Sequence, residues 1–171
     1  MKLFPLIKEI ISEVGEGTAQ PYAFSIDDDQ RSDAENGAYR RVSFTTEDGD
    51  KYEVSMNAFW GDSYVAEKFG AHFTIDFGIK EGGFLDTDTV VSKGRLFKVM
   101  ATIVKIARDF MDDLDYKEKG INTLRILPTK TEGEFDDRRA NLYMAYIKKH
   151  LPISDISYDG DEIVATIKWL N

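Results

Sequence analysis

"AYRRVSFTTEDGDKYEVSMNAF", residues 38–59, decides the fold class. Val42 and Phe44 fall on one side of an extended segment, and "EDGD" (47–50) turns the chain at Gly49. Tyr52, Val54 and Met56 then alternate on the way back. A period of two places these side chains on one face of a sheet, and a short Gly-containing turn closes the two arms into a β-hairpin. A sheet started this way is antiparallel.

Strands of the same kind lie on either side. "AHFTIDFGI" (71–79) sets Phe73, Ile75, Phe77 and Ile79 against His72, Thr74 and Asp76. "YAFSI" (22–26) alternates Tyr22, Phe24 and Ile26, and "INTLRIL" (121–127) reads as a strand stopped by Pro128. At the C-terminus "DISYDGDEIVATIKWL" folds back at Asp159-Gly160, with Ile163, Ala165, Ile167 and Trp169 alternating. Between these strands, "DDDQRSDAENG" (27–37) has no apolar period and is expected to be an acidic loop. "KEGGFLDTDTVVSKG" (80–94) is expected to be a connection.

The helical period appears three times. Leu3, Leu6, Ile7, Ile10, Ile11 and Val14 predict a short helix over 4–14, inside the first 15 residues, ended by Gly15 and Gly17. Leu96, Met100, Ile103, Ala107, Phe110 and Leu114 form the stripe of a long helix from about 93 to 115. Phe97, Val99, Val104, Ile106 and Met111 widen that stripe, as expected for a central helix packed across a sheet. Residues 135–150 read as a second helix, with Leu142, Tyr143, Tyr146 and Ile147 as its buried face. The expectation is one α+β domain over 1–171. It has a largely antiparallel sheet, both main helices on one face, a short N-terminal helix and a C-terminal hairpin. No internal repeat is present.

A chain of 171 residues with 42 % hydrophobic and 12 % aromatic residues can bury a sizeable core. Its formal net charge of −9 argues against direct binding to a nucleic-acid backbone, which needs clustered Lys and Arg. The charge fits a basic protein partner or mimicry of nucleic acid. The absence of cysteine removes disulfides, thiolate catalysis and Cys-ligated metals. No apolar run reaches the roughly 20 residues that span a bilayer. Lys8, Glu9 and Glu13 break the apolar start, so no signal peptide is expected.

Catalytic chemistry finds no motif. "SKGR" (92–95) lacks the glycines and the GK[ST] ending of a P-loop, and no G-x-S-x-G is present. His72 and His150 do not have metal-ligand spacing, and "DDDQRSDAEN" and "LDTDT" depart from the EF-hand loop. No catalytic residue, metal or cofactor is expected, and a non-enzyme is the preferred reading. A carboxylate pair among the 31 Asp and Glu leaves the enzyme question open.

Three groups of residues remain as candidates. The long helix begins with Lys93, Arg95 and Lys98 and ends with Asp109, Asp112, Asp113 and Asp115, the reverse of what its dipole favours. An anion held by Ser92, Lys93, Arg95 and Lys98 would offset this. Side chains reaching into water are the plainer explanation. Phe59, Trp60, Tyr64 and Phe69 form an aromatic insertion that is either a protein-contact patch or a loop folded over the core edge. Arg138 and Arg139 join it as a minor interface candidate, since Asp136, Asp137, Lys148, Lys149 and His150 otherwise suit the ends of an ordinary helix. Finally, Asp27, Asp28, Asp29, Asp33 and Glu35, with Asp109, Asp112, Asp113 and Asp115, could mimic nucleic-acid charge.

"VSFTTEDGDKYEVSM", "HFTIDFGI", "GRLFKVMATIVKIARDFM", "INTLRILPTK" and "DDRRANLYMAYIKKHLP", in this order over residues 39–152, resemble small uncharacterised proteins of tailed bacteriophages. There, Y-x-V-x-F-like strands precede a helix like Phe97–Ile106, a strand like Ile121–Ile126 and an R-x-x-L-Y helix, matched here by Arg139, Leu142 and Tyr143. The first 38 residues and the final hairpin lie outside the likeness. It implies viral origin, with the virion or the host cytoplasm as location, and no activity. The function expected is contact with a viral or host protein, as virion component or accessory factor. The alternatives are an acidic anti-defence inhibitor of a host enzyme and a binder of a phosphorylated small molecule at 92–98.

Overall fold

The structure is a computed structural model that describes residues 19–81, 84–86, 93–126, 130–131, 134–135, 145–160 and 162–168. Side chains are described for these residues except 81, 84–86, 93–96, 130–131 and 134–135. It is an α+β fold with one large, mostly antiparallel sheet. The hairpin quoted above pairs β2 (Gly37–Thr45) with β3 (Lys51–Phe59), with Phe44 opposite Tyr52 and Val42 opposite Val54. Gly49 sits at φ 89° in the turn, which glycine adopts without steric cost, and its N–H donates to the Thr46 carbonyl at 3.0 Å. Tyr22, Phe44 and Tyr52 stack as a ladder with ring centroids 5.6 and 5.0 Å apart.

β1 (Phe24–Ser32) pairs antiparallel with β2, and β4 (His72–Glu81) with β3. A six-residue helix, α1 (Tyr64–Phe69), separates β3 from β4; Ser63 caps it by accepting from the Ala66 N–H at 3.1 Å. β5 (Phe84–Asp86) pairs with the end of β4. The chain then forms α2 (Lys93–Leu114) and returns as β6 (Thr123–Ile126), which runs parallel to its neighbour β4. Beyond β6 come β7 (Lys130–Thr131) and β8 (Glu134–Phe135), a separate pair, and a helical stretch at 145–150. β9 (Ile153–Asp159) and β10 (Glu162–Ile167) complete the sheet, whose main path runs β1-β2-β3-β4-β6-β10-β9.

One face of this sheet is the core. Val42, Phe44, Val54, Met56, Phe73, Ile75, Leu124, Ile126, Ile163 and Ala165 are buried there. Phe97, Met100, Ile103, Val104, Ala107, Phe110 and Leu114 of α2 are buried with them in one cluster. Phe73 meets Phe110 at 5.8 Å and Tyr116 at 6.3 Å. Removing either Phe side chain would cost about 3–5 kcal/mol on the usual scale for buried aromatics.

Several boundaries depart from those read in the sequence. The acidic stretch expected as a loop over 27–37 is strand through Ser32, and only 33–36 turn. The cause is a bulge at Asp27, where the register slips between Ile26 and Asp28. Phe24 and Ile26 face the helix before the bulge, but Asp29 and Arg31 face it afterwards, so no single period-two pattern runs through β1. The connection expected over 80–94 holds the end of β4 and all of β5. The second helix expected from 135 begins later, because Phe135 pairs in β8 with Lys130. Residues 136–144 and the helix expected at 4–14 lie outside the described residues, as does Trp169.

Candidate functional site

Strand alternation puts Arg40 on the core side of β2, between Ala38 and Val42. It is 8 % exposed. A guanidinium in that position requires partners, and three hydrogen bonds supply them. Nε and Nη2 donate to the two carboxylate oxygens of Asp29 at 3.0 and 2.8 Å, and Nη1 donates to Asp113 at 2.7 Å. Its plane also lies over the Phe110 ring, 5.3 Å from the centroid. The Asp29 hydrogen bonds, and then Asp113, hold the Arg40 pKa above its ordinary value.

This contact joins two acidic segments that the sequence keeps far apart. Asp29 belongs to β1 and Asp113 to the last turn of α2, 73 residues from Arg40. The segments also meet at Asp33, which accepts from Arg31 at 3.0 Å and from Lys119 at 3.4 Å. The Arg31 hydrogen bond is the main cause of a lowered Asp33 pKa.

The reversed charge order of α2 is answered in the same way. At the C-terminal end Arg40 faces Asp113. Near the start, Lys98 Nζ donates to Glu47 at 2.5 Å and lies 4.2 Å from the Tyr22 ring centroid. The Tyr22 hydroxyl donates to the other Glu47 oxygen. Lys98, and then Tyr22, draw the Glu47 pKa down to about 2. The helix is thus matched by side chains from β2 and from the β2–β3 turn, and no bound anion is needed to balance Lys98. Ser92 and the side chains of Lys93 and Arg95 lie outside the described residues, as do Arg138 and Arg139.

Beside Arg40 a cleft of about 170 Å³ opens between the β1–β2 edge and α2. Phe24, Ile26, Val42 and Ile106 form its apolar walls. Arg40, Asp109 and Asp113 supply its polar atoms. Lys105 stands at the rim, 3.0 Å from Asp109 and 5.9 Å from the Phe24 ring centroid. Ile26 is 52 % exposed, so the mouth is open to solvent.

Ion pairs therefore engage Asp29, Asp33, Asp109 and Asp113. Among the described residues Asp27 and Asp28 accept from neighbouring neutral side chains, Ser25 and Gln30. With Glu35, Asp112 and Asp115 they make no ion pair among the described residues. Asp115 ends α2 at φ 50°, in the left-handed region.

The aromatic insertion does not form one patch. Trp60 is 6 % exposed, and Lys119 caps its ring at 4.3 Å, so it belongs to the core and not to a contact surface. The reason is local: the Trp60 N–H donates to the Asn36 carbonyl at 3.0 Å, and this holds the chain after β3 against the β1–β2 turn. Phe59 is half-buried beside His72, 5.5 Å between ring centroids. Tyr64 and Phe69 are exposed, and Arg125 lies 5.2 Å from the Phe69 ring centroid. His72 is buried, and its Nδ1–H donates to the Gly70 carbonyl at 2.6 Å. Burial pulls its pKa below the ordinary imidazole value.

Among the described residues no three His, Asp or Glu side chains could together hold a metal ion. No described helix is long and apolar enough to cross a membrane. No family model, curated protein or solved structure matches the chain.

The sequence reading missed Arg40, Lys105 and Glu47. Arg40 had one usable signal: it occupies a core-side position in an otherwise apolar alternation, where a charge must find a buried partner. Lys105 and Asp109 are spaced i, i+4, which is too common on helices to mark a site.

Proposed function

We propose that this is a non-enzymatic bacteriophage protein that acts by binding another protein. Its contact surface is the acidic face where β1 meets the C-terminal half of α2. The observation that supports this reading is the Arg40 bridge from Asp29 to Asp113, which joins two acidic segments, of which Glu35, Asp112 and Asp115 make no ion pair among the described residues. A surface of that kind suits a basic partner and speeds its approach. Phage origin rests on the order of segments over 39–152, and carries with it a place in the virion or the host cytoplasm. The finer architecture belongs to the same proposal: a long central helix and a second C-terminal helix on one face, a short N-terminal helix and a C-terminal hairpin.

The test is affinity capture from phage-infected cells, with purified particles analysed beside it. The wild-type chain should retain one basic protein. The variant E35Q/D112N/D115N, which removes three negative charges, should lose it. Capture that survives the three substitutions would end the acidic-face reading.

The joined acids also favour a second reading, an inhibitor that mimics nucleic-acid charge on a host defence or nucleic-acid enzyme. DNA should then compete with the protein for its target, and added salt should weaken the complex. Absence of competition would remove this reading while leaving the first in place.

A further inference from the structure

The cleft beside Arg40 has an uneven charge count. Arg40 and Lys105 bring two positive charges. Asp29, Asp109 and Asp113 bring three negative ones. One negative charge is left over at the edge of a pocket whose walls are Phe24, Ile26, Val42 and Ile106. A pocket with aliphatic and aromatic walls and a surplus carboxylate suits a side chain with an apolar stem and a cationic head. The cleft, about 170 Å³, is larger than an engineered apolar cavity of about 150 Å³ that accepts benzene, so one long side chain fits.

The molecule already contains an instance of the contact. Lys105 lays its ammonium between Asp109 and the Phe24 ring, at the mouth of the cleft. It is half-exposed and pairs with a half-exposed acid, an arrangement of low net stability that an incoming cation can exchange with. Arg40 is different. It is fixed by a two-pronged bond to Asp29 and by Asp113, so it shapes the inner wall and stays in place.

We infer that this cleft is the seat for a single lysine or arginine side chain of the partner protein. The stem would lie on Phe24 and Ile26 and the head between Asp109 and Asp113, with Lys105 displaced. This inference rests on the protein-binding reading above and specifies what the partner must present.

The experiment is an NMR titration of the full chain with three probes. These are an acetylated Gly-Arg-Gly amide, its citrulline counterpart, which is isosteric but neutral, and nona-arginine. The arginine tripeptide should shift the signals of Phe24, Ile26, Val42 and Ile106, and the citrulline peptide should not. Asp109→Asn should weaken the arginine tripeptide about fivefold, the scale of one exposed charge-assisted contact. Lys105→Gln should tighten it about threefold by removing the resident competitor. Both positions are on the surface, and the amide spectrum of each variant reports that it is folded. If nona-arginine binds but its shifts avoid the cleft, or ignore Asp109→Asn, the cleft is not the seat and the acidic-face reading survives. If neither cationic probe binds, the cleft inference fails together with that reading.

Discussion

Arg40 is the side chain whose replacement separates packing from charge. Its aliphatic stem fills space beside Phe110 and Val42, while its head satisfies Asp29 and Asp113. Arg40→Ala removes both contributions and should lower the unfolding free energy by about 2–4 kcal/mol. Arg40→Met keeps most of the volume. The two carboxylates left behind are half-exposed or more and can be hydrated, so this variant should lose less than about 1.5 kcal/mol. Urea unfolding of both variants checks the order. Equal losses would mean that the ion pairs, and not the packing, hold β1 and α2 together. An inward-facing Arg in β2 was legible in the alternation of 38–44, but its partners were not, because they come from two other elements.

Two predictions belong to single elements. Gly49 and Gly61 both have positive φ, 89° and 58°. A Cβ on Gly49 would meet nothing within 4 Å, whereas one on Gly61 would lie 3.1 Å from the Asn36 side chain. Gly49→Ala should therefore cost about 1 kcal/mol from backbone conformation alone. Gly61→Ala should cost more, because Asn36 also holds Trp60 and Asp62. Thermal melts should rank the variants in that order, and the reverse ranking would show that Asn36 moves aside freely. The second prediction concerns β1, which ends the main path of the sheet. Its run Asp27-Asp28-Asp29 places charge on an edge that could otherwise pair with another chain. Asp27→Thr with Asp28→Thr should raise self-association, read by sedimentation as a concentration-dependent increase in mass. No change would remove edge protection from the list of what these acids do.

Stability against pH belongs to the whole molecule, since unfolding releases every group at once. His72 is buried and neutral, with its pKa held below the ordinary value near 6.5. The unfolded chain binds a proton before the folded one does. Stability therefore rises with pH through the window between the folded pKa and 6.5, and it falls as pH drops from 6.5. His72→Gln should flatten that slope. Glu47 acts at lower pH. Its pKa is drawn from 4.5 to about 2, so its contribution is complete above 4.5 and disappears as pH falls toward 2. Glu47→Gln should flatten the lower limb and leave the upper one unchanged. Denaturation midpoints collected across both windows separate the two groups. A wild-type profile that is flat between pH 6.5 and 5 would overturn the assignment to His72.

The α+β class and the antiparallel sheet were written in the sequence, because period two and period 3.6 are local and each is fixed by burial of one face. The hairpin around Gly49 shows this best: alternation and turn chemistry agree within 15 residues of one another, from Val42 to Met56. Where local pattern failed, a long-range partner or an irregularity had intervened. The bulge at Asp27 reversed which residues of β1 face inward, so an acidic strand looked like a loop. Trp60 was a candidate for the surface until the Asn36 carbonyl and Lys119 enclosed it. Above all, only the tertiary structure brought residues 27–33 beside 109–119. That meeting depends on which side of β2 carries Arg40 and on where the last turn of α2 falls relative to it, and neither is a property of any short stretch of chain.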